Sequence, residues 1–216
     1  MDLIKPFGPE IGIFQLTEEQ NKELFDVCET KQDNLKSRIN HQLVGFIKKE
    51  FDIYNDVKDS TVEILKKAVL EYINRTPSSY DMYKPFKLQE LNCTSAWCNI
   101  QEVHEFNPLH SHPLSDVVCV AFPKVAIEGK SPYESNVEQS PGTLNLFYGN
   151  KTSKFGVQNY TITPKSGDVY IFPGELAHYT VPIWNKNDIR ISTSFNFRIN
   201  EWFYRTRKLK EYIDPQ

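Results

Sequence analysis

From Leu88 to Arg198 the sequence falls into seven short runs rich in β-branched and aromatic residues, and no helix-length segment separates one from the next. The runs are Leu88 to Val103, Asp116 to Phe122, Thr143 to Tyr148, Tyr160 to Thr163, Asp168 to Phe172, Ala177 to Ile183 and Ile189 to Arg198. Clusters of Gly, Pro, Asn and Asp bound them, as expected of strands closed by turns. Parallel βαβ units need a helical crossover between strands. Its absence predicts an all-β sandwich or barrel. The segment Pro123 to Pro141, with Gly129, Ser131 and Pro132, reads as a long loop at the barrel mouth.

The chain before Tyr80 to Pro85 reads as helical. Thr17-Glu18-Glu19-Gln20 is a capping box, and Leu24, Phe25 and Cys28 recur at helical spacing behind it, predicting a helix from about Glu18 to Thr30. Ser60-Thr61-Val62-Glu63 is a second capping box. It opens a stripe of Val62, Leu65, Val69, Tyr72 and Ile73 that Pro77 closes. Leu43 to Phe51 is expected to form a shorter helix between them. The organisation is thus mainly β with N-terminal helices. Residues 1–85 are expected to be a helical buttress, 86–200 the β core, and 201–216 a C-terminal helix or tail that can serve a homodimer contact.

Charge and composition narrow the classes of function. At 216 residues the chain suits one core. The formal net charge of −3 lacks the basic footprint of a phosphate-binding protein, so no nucleic-acid partner is indicated. The short basic run Arg205 to Lys210 reads as the solvated face of a terminal helix. No apolar run is long enough to span a membrane. The opening MDLIKPFGPEIG has no signal-peptide core, so a cytoplasmic address is expected. Cys28, Cys93, Cys98 and Cys119 form no C-x-x-C pair and are expected to be free thiols.

The chemistry concentrates in the β half. In Asn107-Pro108-Leu109-His110-Ser111-His112-Pro113, two histidines two residues apart face the same side of an extended backbone and can share one metal. His178 follows the strand and turn Gly167 to Gly174 and can return to the same cavity; His104 is set aside as structural. Imidazoles suit zinc, copper, iron and nickel alike, so the ligands leave the metal open. In Asp188 to Asn196, alternation turns Arg190, Ser192 and Ser194 to one face and Ile189, Ile191 and Thr193 to the other. An inward-facing guanidinium needs an internal acid or a bound anion, and its planar donors match a carboxylate.

These segments, with Pro6-Phe7-Gly8-Pro9, Trp97-Cys98-Asn99-Ile100 and Thr163-Pro164-Lys165-Ser166-Gly167-Asp168, resemble the 2-oxoglutarate and iron(II) dependent oxygenases. Within them the sequence is similar to a family found in phages and marine bacteria. The resemblance covers most of the chain, and its most specific element is the arginine twelve residues after the last histidine. It implies a double-stranded β-helix, the cupin-like jelly roll. It implies an oxidoreductase, a dioxygenase that hydroxylates an unidentified substrate while decarboxylating 2-oxoglutarate to succinate. Iron(II) would be bound by His110, His112 and His178, and 2-oxoglutarate by Arg190 and Ser192.

One departure stands out: the usual H-x-D or H-x-E carboxylate is replaced by His112. Three histidines, a carboxylate from Asp116, or water in place of His112 all satisfy the departure. The first is preferred, because Asp116 begins the next strand and needs a loop reversal to reach the metal. Two other classes share the ligand pattern: a zinc hydrolase or lyase, and a cupin-like protein that binds without turnover. Tyr148, Trp97, Tyr170 and Trp184 are candidate pocket aromatics, though such residues are more often core.

Overall fold

The structure is a computed structural model that describes residues 1–4, 8–32, 34–76, 87–125, 141–149 and 158–200. Strand alternation organises it. Ten strands form two antiparallel sheets: β1 (Asp2–Ile4), β2 (Ile11–Gln15), β3 (Lys49–Asp52), β4 (Leu91–Gln101), β5 (Val117–Lys124), β6 (Leu144–Phe147), β7 (Asn159–Ile162), β8 (Asp168–Pro173), β9 (Ala177–Thr180) and β10 (Arg190–Ile199). The larger sheet runs β1-β2-β8-β5-β10-β4-β3 and the smaller β7-β6-β9. This is an all-β architecture of the kind expected from the β-rich runs, and the jelly roll that the family resemblance implied.

Because the larger sheet is covered on both faces, its central strands are apolar in both registers. On β5, Val117, Cys119 and Ala121 join the core under the helices, while Val118, Val120 and Phe122 join the core between the sheets. On β8, Val169 and Ile171 take the first face and Tyr170 and Phe172 the second. A one-residue slip would exchange the faces, so register is set by burial. On β10, Ile191, Phe195 and Phe197 face the helices. Arg190, Ser192 and Ser194 instead line a cavity inside the roll, the alternation expected from the sequence.

Two helices, α1 (Glu18–Lys31) and α2 (Asp59–Arg75), cover the outer face of the larger sheet. At the start of α1 the expected capping box is present: Thr17 Oγ1 accepts from Gln20 N–H at 3.3 Å and Gln20 Oε1 from Thr17 N–H at 3.0 Å. The second box is not used. α2 begins at Asp59, ahead of Ser60, and its N-cap Lys58 gives no side-chain bond. A residue of α1 takes over instead, Glu23, whose carboxylate accepts from Lys58 N–H at 2.8 Å and from the Thr61 hydroxyl.

Two further expectations are corrected. The first part of the chain is not helical throughout, because β1 and β2 extend the larger sheet beyond β8. Leu43 to Phe51 is not a helix either. It ends in β3, where Glu50 and Phe51 pair with Asn99 and Cys98 of β4. The reason is tertiary: β4 offers an unpaired edge, and strand geometry sends Phe51 into the core under the helices. The four cysteines are free, as expected. Among the described residues no helix is long and apolar enough to cross a membrane. The expected C-terminal helix, the basic run Arg205 to Lys210 and positions 126–140 of the long loop lie outside the described residues.

The cross-helix cap yields a test. Glu23→Ala removes the acceptor for Lys58 N–H and Thr61, and is expected to lower stability by about 1 kcal/mol. Glu19→Ala, in the same helix and exposed, should stay within about 0.5 kcal/mol. Urea midpoints of the two variants compared with the parent check this.

Candidate functional site

The site begins as a backbone contact between two distant segments. His110 and His178 form an isolated antiparallel bridge: His110 N–H donates to the His178 carbonyl at 2.9 Å, and His178 N–H to that of His110 at 2.8 Å. Two residues on, His112 N–H donates to the Gly174 carbonyl at 2.7 Å. The turn after β8 passes this segment very closely. A Cβ on Gly174 would lie 2.0 Å from the Ser115 carbonyl oxygen and 2.7 Å from that of His112, so only glycine allows the approach.

Three imidazoles converge there, each offering a ring nitrogen within 4.8 Å of the others. Ring centroids are 4.3 Å apart for His110 and His178, 5.1 Å for His112 and His178, and 5.5 Å for His110 and His112. Each Nδ1 has its own acceptor: the Pro108 carbonyl at 2.7 Å for His110, Asn196 Oδ1 at 2.8 Å for His112, and the Leu176 carbonyl at 2.8 Å for His178. Nδ1 therefore carries the proton in all three rings, and Nε2 keeps its lone pair. Carbonyl and amide acceptors of this kind orient metal-binding imidazoles.

Electrostatics agree with that donor set. Burial holds His112 down to about 4 and His178 down to about 3, the latter lowered further by His110 and His112. Burial also lowers His110. The rings are neutral near pH 7, the form that ligates a metal. The residues therefore fit a divalent cation held by three neutral nitrogens. Asp116 is not in the cluster: its carboxylate accepts from Ile199 N–H at 2.7 Å. His104 is also outside it, in a left-handed turn (φ 66°) with its ring beside Trp184.

Arg190 faces the same interior. Its side chain is fully buried, Nη1 donates to the Gly142 carbonyl at 2.8 Å, and Nε has no partner. The guanidinium lies 5.6 Å from the Phe122 ring centroid. Burial alone lowers its pKa, to about 10, and no carboxylate offsets that, so it stays charged near neutrality. A small cavity of about 30 Å³ has Arg190, Ser192, Ser194, His110 and His178 in its wall, which brings the arginine and two imidazoles onto one space. The buried Asn99 Oδ1 and Asn107 Oδ1, both without partners, belong to the same wall. A cation with an unused donor, beside a set of metal-type nitrogens, fits an anion that also reaches the metal.

A larger groove of about 560 Å³ adjoins this cavity and shares Trp97, Asn107 and His110 with it. Trp97 stacks on His112 with centroids 5.3 Å apart. Across the groove stands Glu50, buried, with Oε2 accepting from Asn40 Nδ2 at 3.0 Å. Burial first, and then the nearby Glu105, raise its pKa from 4.5 to about 7, against an opposing pull from Arg38. A third cavity, about 760 Å³, is lined by Tyr148 and contains none of the three imidazoles. Tyr170 is not a pocket residue, since it packs between the sheets with its hydroxyl on Asp168 at 3.0 Å.

The structure therefore brings together His110, His112, His178, Arg190 and Ser192. Sequence reasoning missed Asn196, Asn107 and Glu50. Asn196 was within reach, because it continues the inward series 190, 192, 194 along β10. Glu50 was hidden by reading its segment as helical.

Glu50 generates a pH prediction. Its folded pKa lies above its unfolded one, so its contribution to stability is fully present below about pH 4.5 and is lost as pH rises through about 7. Glu50→Gln is expected to flatten that part of the profile, gaining melting temperature on the parent between pH 5 and pH 8. Parallel profiles for the two proteins would show that Glu50 does not titrate in this way.

No curated protein sequence matches the chain. Residues 95–196 match the model of the family described as "Putative 2OG-Fe(II) oxygenase". Among solved structures, a prolyl-4-hydroxylase from Pseudomonas putida is similar at TM-score 0.56 and 16% identity, covering 87% of this chain and 92% of that one. The viral collagen prolyl hydroxylase of Paramecium Bursaria Chlorella virus-1, solved with 2OG, is similar at TM-score 0.54 and 12% identity, covering 88% and 96%. A non-heme α-ketoglutarate dependent epimerase of nogalamycin biosynthesis is similar at TM-score 0.57 and 10% identity, covering 87% and 78%. The structural likenesses show the jelly-roll fold, while the matched segment carries all three histidines and Arg190. Residues 95–196 of this chain are thus similar to the 2OG-Fe(II) oxygenases, a family whose description names iron(II) and 2-oxoglutarate.

Proposed function

We propose that this protein is a dioxygenase that hydroxylates a substrate lying in the 560 Å³ groove, with iron(II) on His110, His112 and His178 and 2-oxoglutarate on Arg190. The observation that carries the reading is the pairing of three neutral, pre-oriented imidazoles with a buried guanidinium that lacks an acid partner. When bound, the metal and co-substrate supply the oxidising power: dioxygen is consumed, 2-oxoglutarate leaves as succinate and carbon dioxide, and one oxygen atom goes to the substrate.

The chain's own residues bind, orient and exclude water. The Nδ1 bonds to Pro108, Asn196 and Leu176 hold the three Nε2 atoms ready, so little reorganisation accompanies metal binding. Arg190 offers a planar pair of donors to a carboxylate, with Ser192 beside it in the cavity wall. Trp97 and Phe172 pack against His112 and His178 and close these rings off from bulk water. A hydrolytic zinc site shares the imidazoles but gives no role to Arg190, and the family match favours the oxygenase. Neighbours that are hydroxylases and an epimerase share the fold, so the substrate is read from the groove and not from the fold.

The deciding experiment is anaerobic titration of iron(II)-loaded protein with 2-oxoglutarate, watched for the visible charge-transfer band of a chelated 2-oxo acid. The band is expected, and Arg190→Ala should shift its midpoint by roughly thirty-fold or more, the lower end of about 2 kcal/mol for truncating a buried charge partner. An iron-loaded protein with no band would overturn the assignment.

A second prediction concerns the imidazole that replaces the usual carboxylate. Asn196→Ala leaves His112 Nδ1 without its acceptor and is expected to weaken iron(II) binding by roughly 10- to 100-fold. Asn196→Asp, which keeps an acceptor oxygen, should recover most of it. Chelator competition under argon reads both, and unchanged affinity in the alanine variant would show that Asn196 does not position the ring.

A further inference from the structure

The groove beside the imidazoles has a chemistry of its own. Six large hydrophobic side chains stand exposed among the described residues. Three of them, Val44, Tyr54 and Leu114, line this groove, and Phe46 and Leu109 are sequence neighbours of lining residues. Apolar exposure gathered around one concavity marks a ligand surface. Its volume of about 560 Å³ suits a small molecule.

Two buried side chains of the groove present acceptor oxygens, Glu50 and Asn107. Glu50 is 1% exposed and Asn107 9% exposed. A Cβ on Gly45 would lie 2.4 Å from Glu50 Oε1 and 2.3 Å from Asn107 Oδ1, so both oxygens crowd onto the same loop. Asn40 donates to Glu50 Oε2, and Asn107 Oδ1 has no donor. The lining also holds Asp52, and no lysine or arginine. A buried carboxylate and an orphaned acceptor, with no lysine or arginine in the wall, make a site that lacks a compensating positive charge.

We propose that the groove is the primary-substrate subsite and selects a small amphipathic amine, its ammonium group donating to Glu50 and its apolar body lying against Val44, Tyr54 and Leu114. The ammonium supplies the missing charge and donates to the Glu50 carboxylate. Burial first, and then Glu105, raise the Glu50 pKa to about 7 in spite of an opposing pull from Arg38, which does not line the groove. That the bound amine is the molecule oxidised rests on the oxygenase reading; that the groove selects an amine does not.

The test is calorimetric titration with 4-phenylbutylammonium and its neutral counterpart 4-phenylbutanol at pH 8, where Glu50 is ionised. Both the iron(II) and 2-oxoglutarate loaded protein under argon and the metal-free protein are used. The ammonium is expected to bind about ten-fold tighter or more in both forms, the lower end of a charge-assisted hydrogen bond. Glu50→Gln should reduce that preference to near parity while leaving the charge-transfer band with 2-oxoglutarate intact. Should Glu50→Gln fail to fold, Val44→Lys, at a position 60% exposed, introduces a competing cation and should erode the same preference. Equal affinity for the two probes, no binding of either, or a preference that survives both substitutions would overturn the proposal. Absence of the band in the iron-loaded parent protein, with the ammonium still preferred there, would instead strike the oxygenase reading alone.

Discussion

The site depends on one strand, β10, being held on both edges. It pairs with β4 along its whole length and with β5 over most of it, in the middle of the larger sheet. Two-sided pairing fixes its rotation about its own axis, and rotation decides which residues look inward. Arg190 at one end and Asn196 towards the other, four residues past Ser192, are thereby set at opposite ends of one inward row. One meets the small cavity and the other holds His112. A register shift lies between Asn196 and Phe197, next to the residue that touches the imidazole. Such irregularities re-aim side chains next to functional sites. The outward row of the same strand, Ile191, Phe195 and Phe197, is buried under the helices, so the helical layer secures the geometry of a site it does not touch.

Burial then divides the titratable groups into two sorts. It keeps the imidazoles uncharged, because a buried imidazolium would be poorly solvated and the neighbouring rings offer no negative charge. Arginine, under the same pressure, retains its proton because its intrinsic pKa is so high. One environment therefore prepares neutral nitrogens for a metal and a fixed cation for an anion. The three Nδ1 acceptors complete the preparation. Two of them are backbone carbonyls only two residues from their rings, so the ring orientation is encoded locally. The third, Asn196, arrives from a strand distant in sequence and is the more exposed to substitution.

Much of this was legible beforehand, and for identifiable reasons. Strand alternation at Arg190, Ser192 and Ser194 has a period of two that survives into the structure, because both faces of β10 are buried and the register cannot slip. The H-x-H pair could be read from spacing, and the approach of His178 from the strand and turn before it. The N-terminal strands were not legible. β1 is three residues long and β3 four, too short to establish a period, and each exists because a longer strand presents an open edge. The cap of α2 was misplaced for a related reason. Ser60 satisfies the local rule, but Glu23 of the neighbouring helix supplies the acceptor from outside the local sequence. Glu50 was lost with β3, since a residue read onto a helix face cannot be assigned to a groove wall formed by a sheet edge.

If His112 takes the place of a ligand carboxylate, as proposed, the charge balance changes in a way that bears on the groove. In the proposed arrangement three neutral imidazoles would leave the metal's two positive charges to be balanced by the co-substrate, a dianion near neutral pH, one of whose carboxylates would also meet Arg190. With a ligand carboxylate present the same assembly would be one unit more negative and would itself attract a cationic substrate. In that arrangement the attraction would be absent, and the groove's negative groups stand on β3, apart from His178 on β9 and from His110 and His112 between β4 and β5. Glu50 is buried and close to Asn107, whereas Asp52 is at the exposed end of the strand. A cation drawn in by Asp52 and seated by Glu50 is directed by the edge strand, and the metal centre is left free to be tuned for oxidation without also serving recognition.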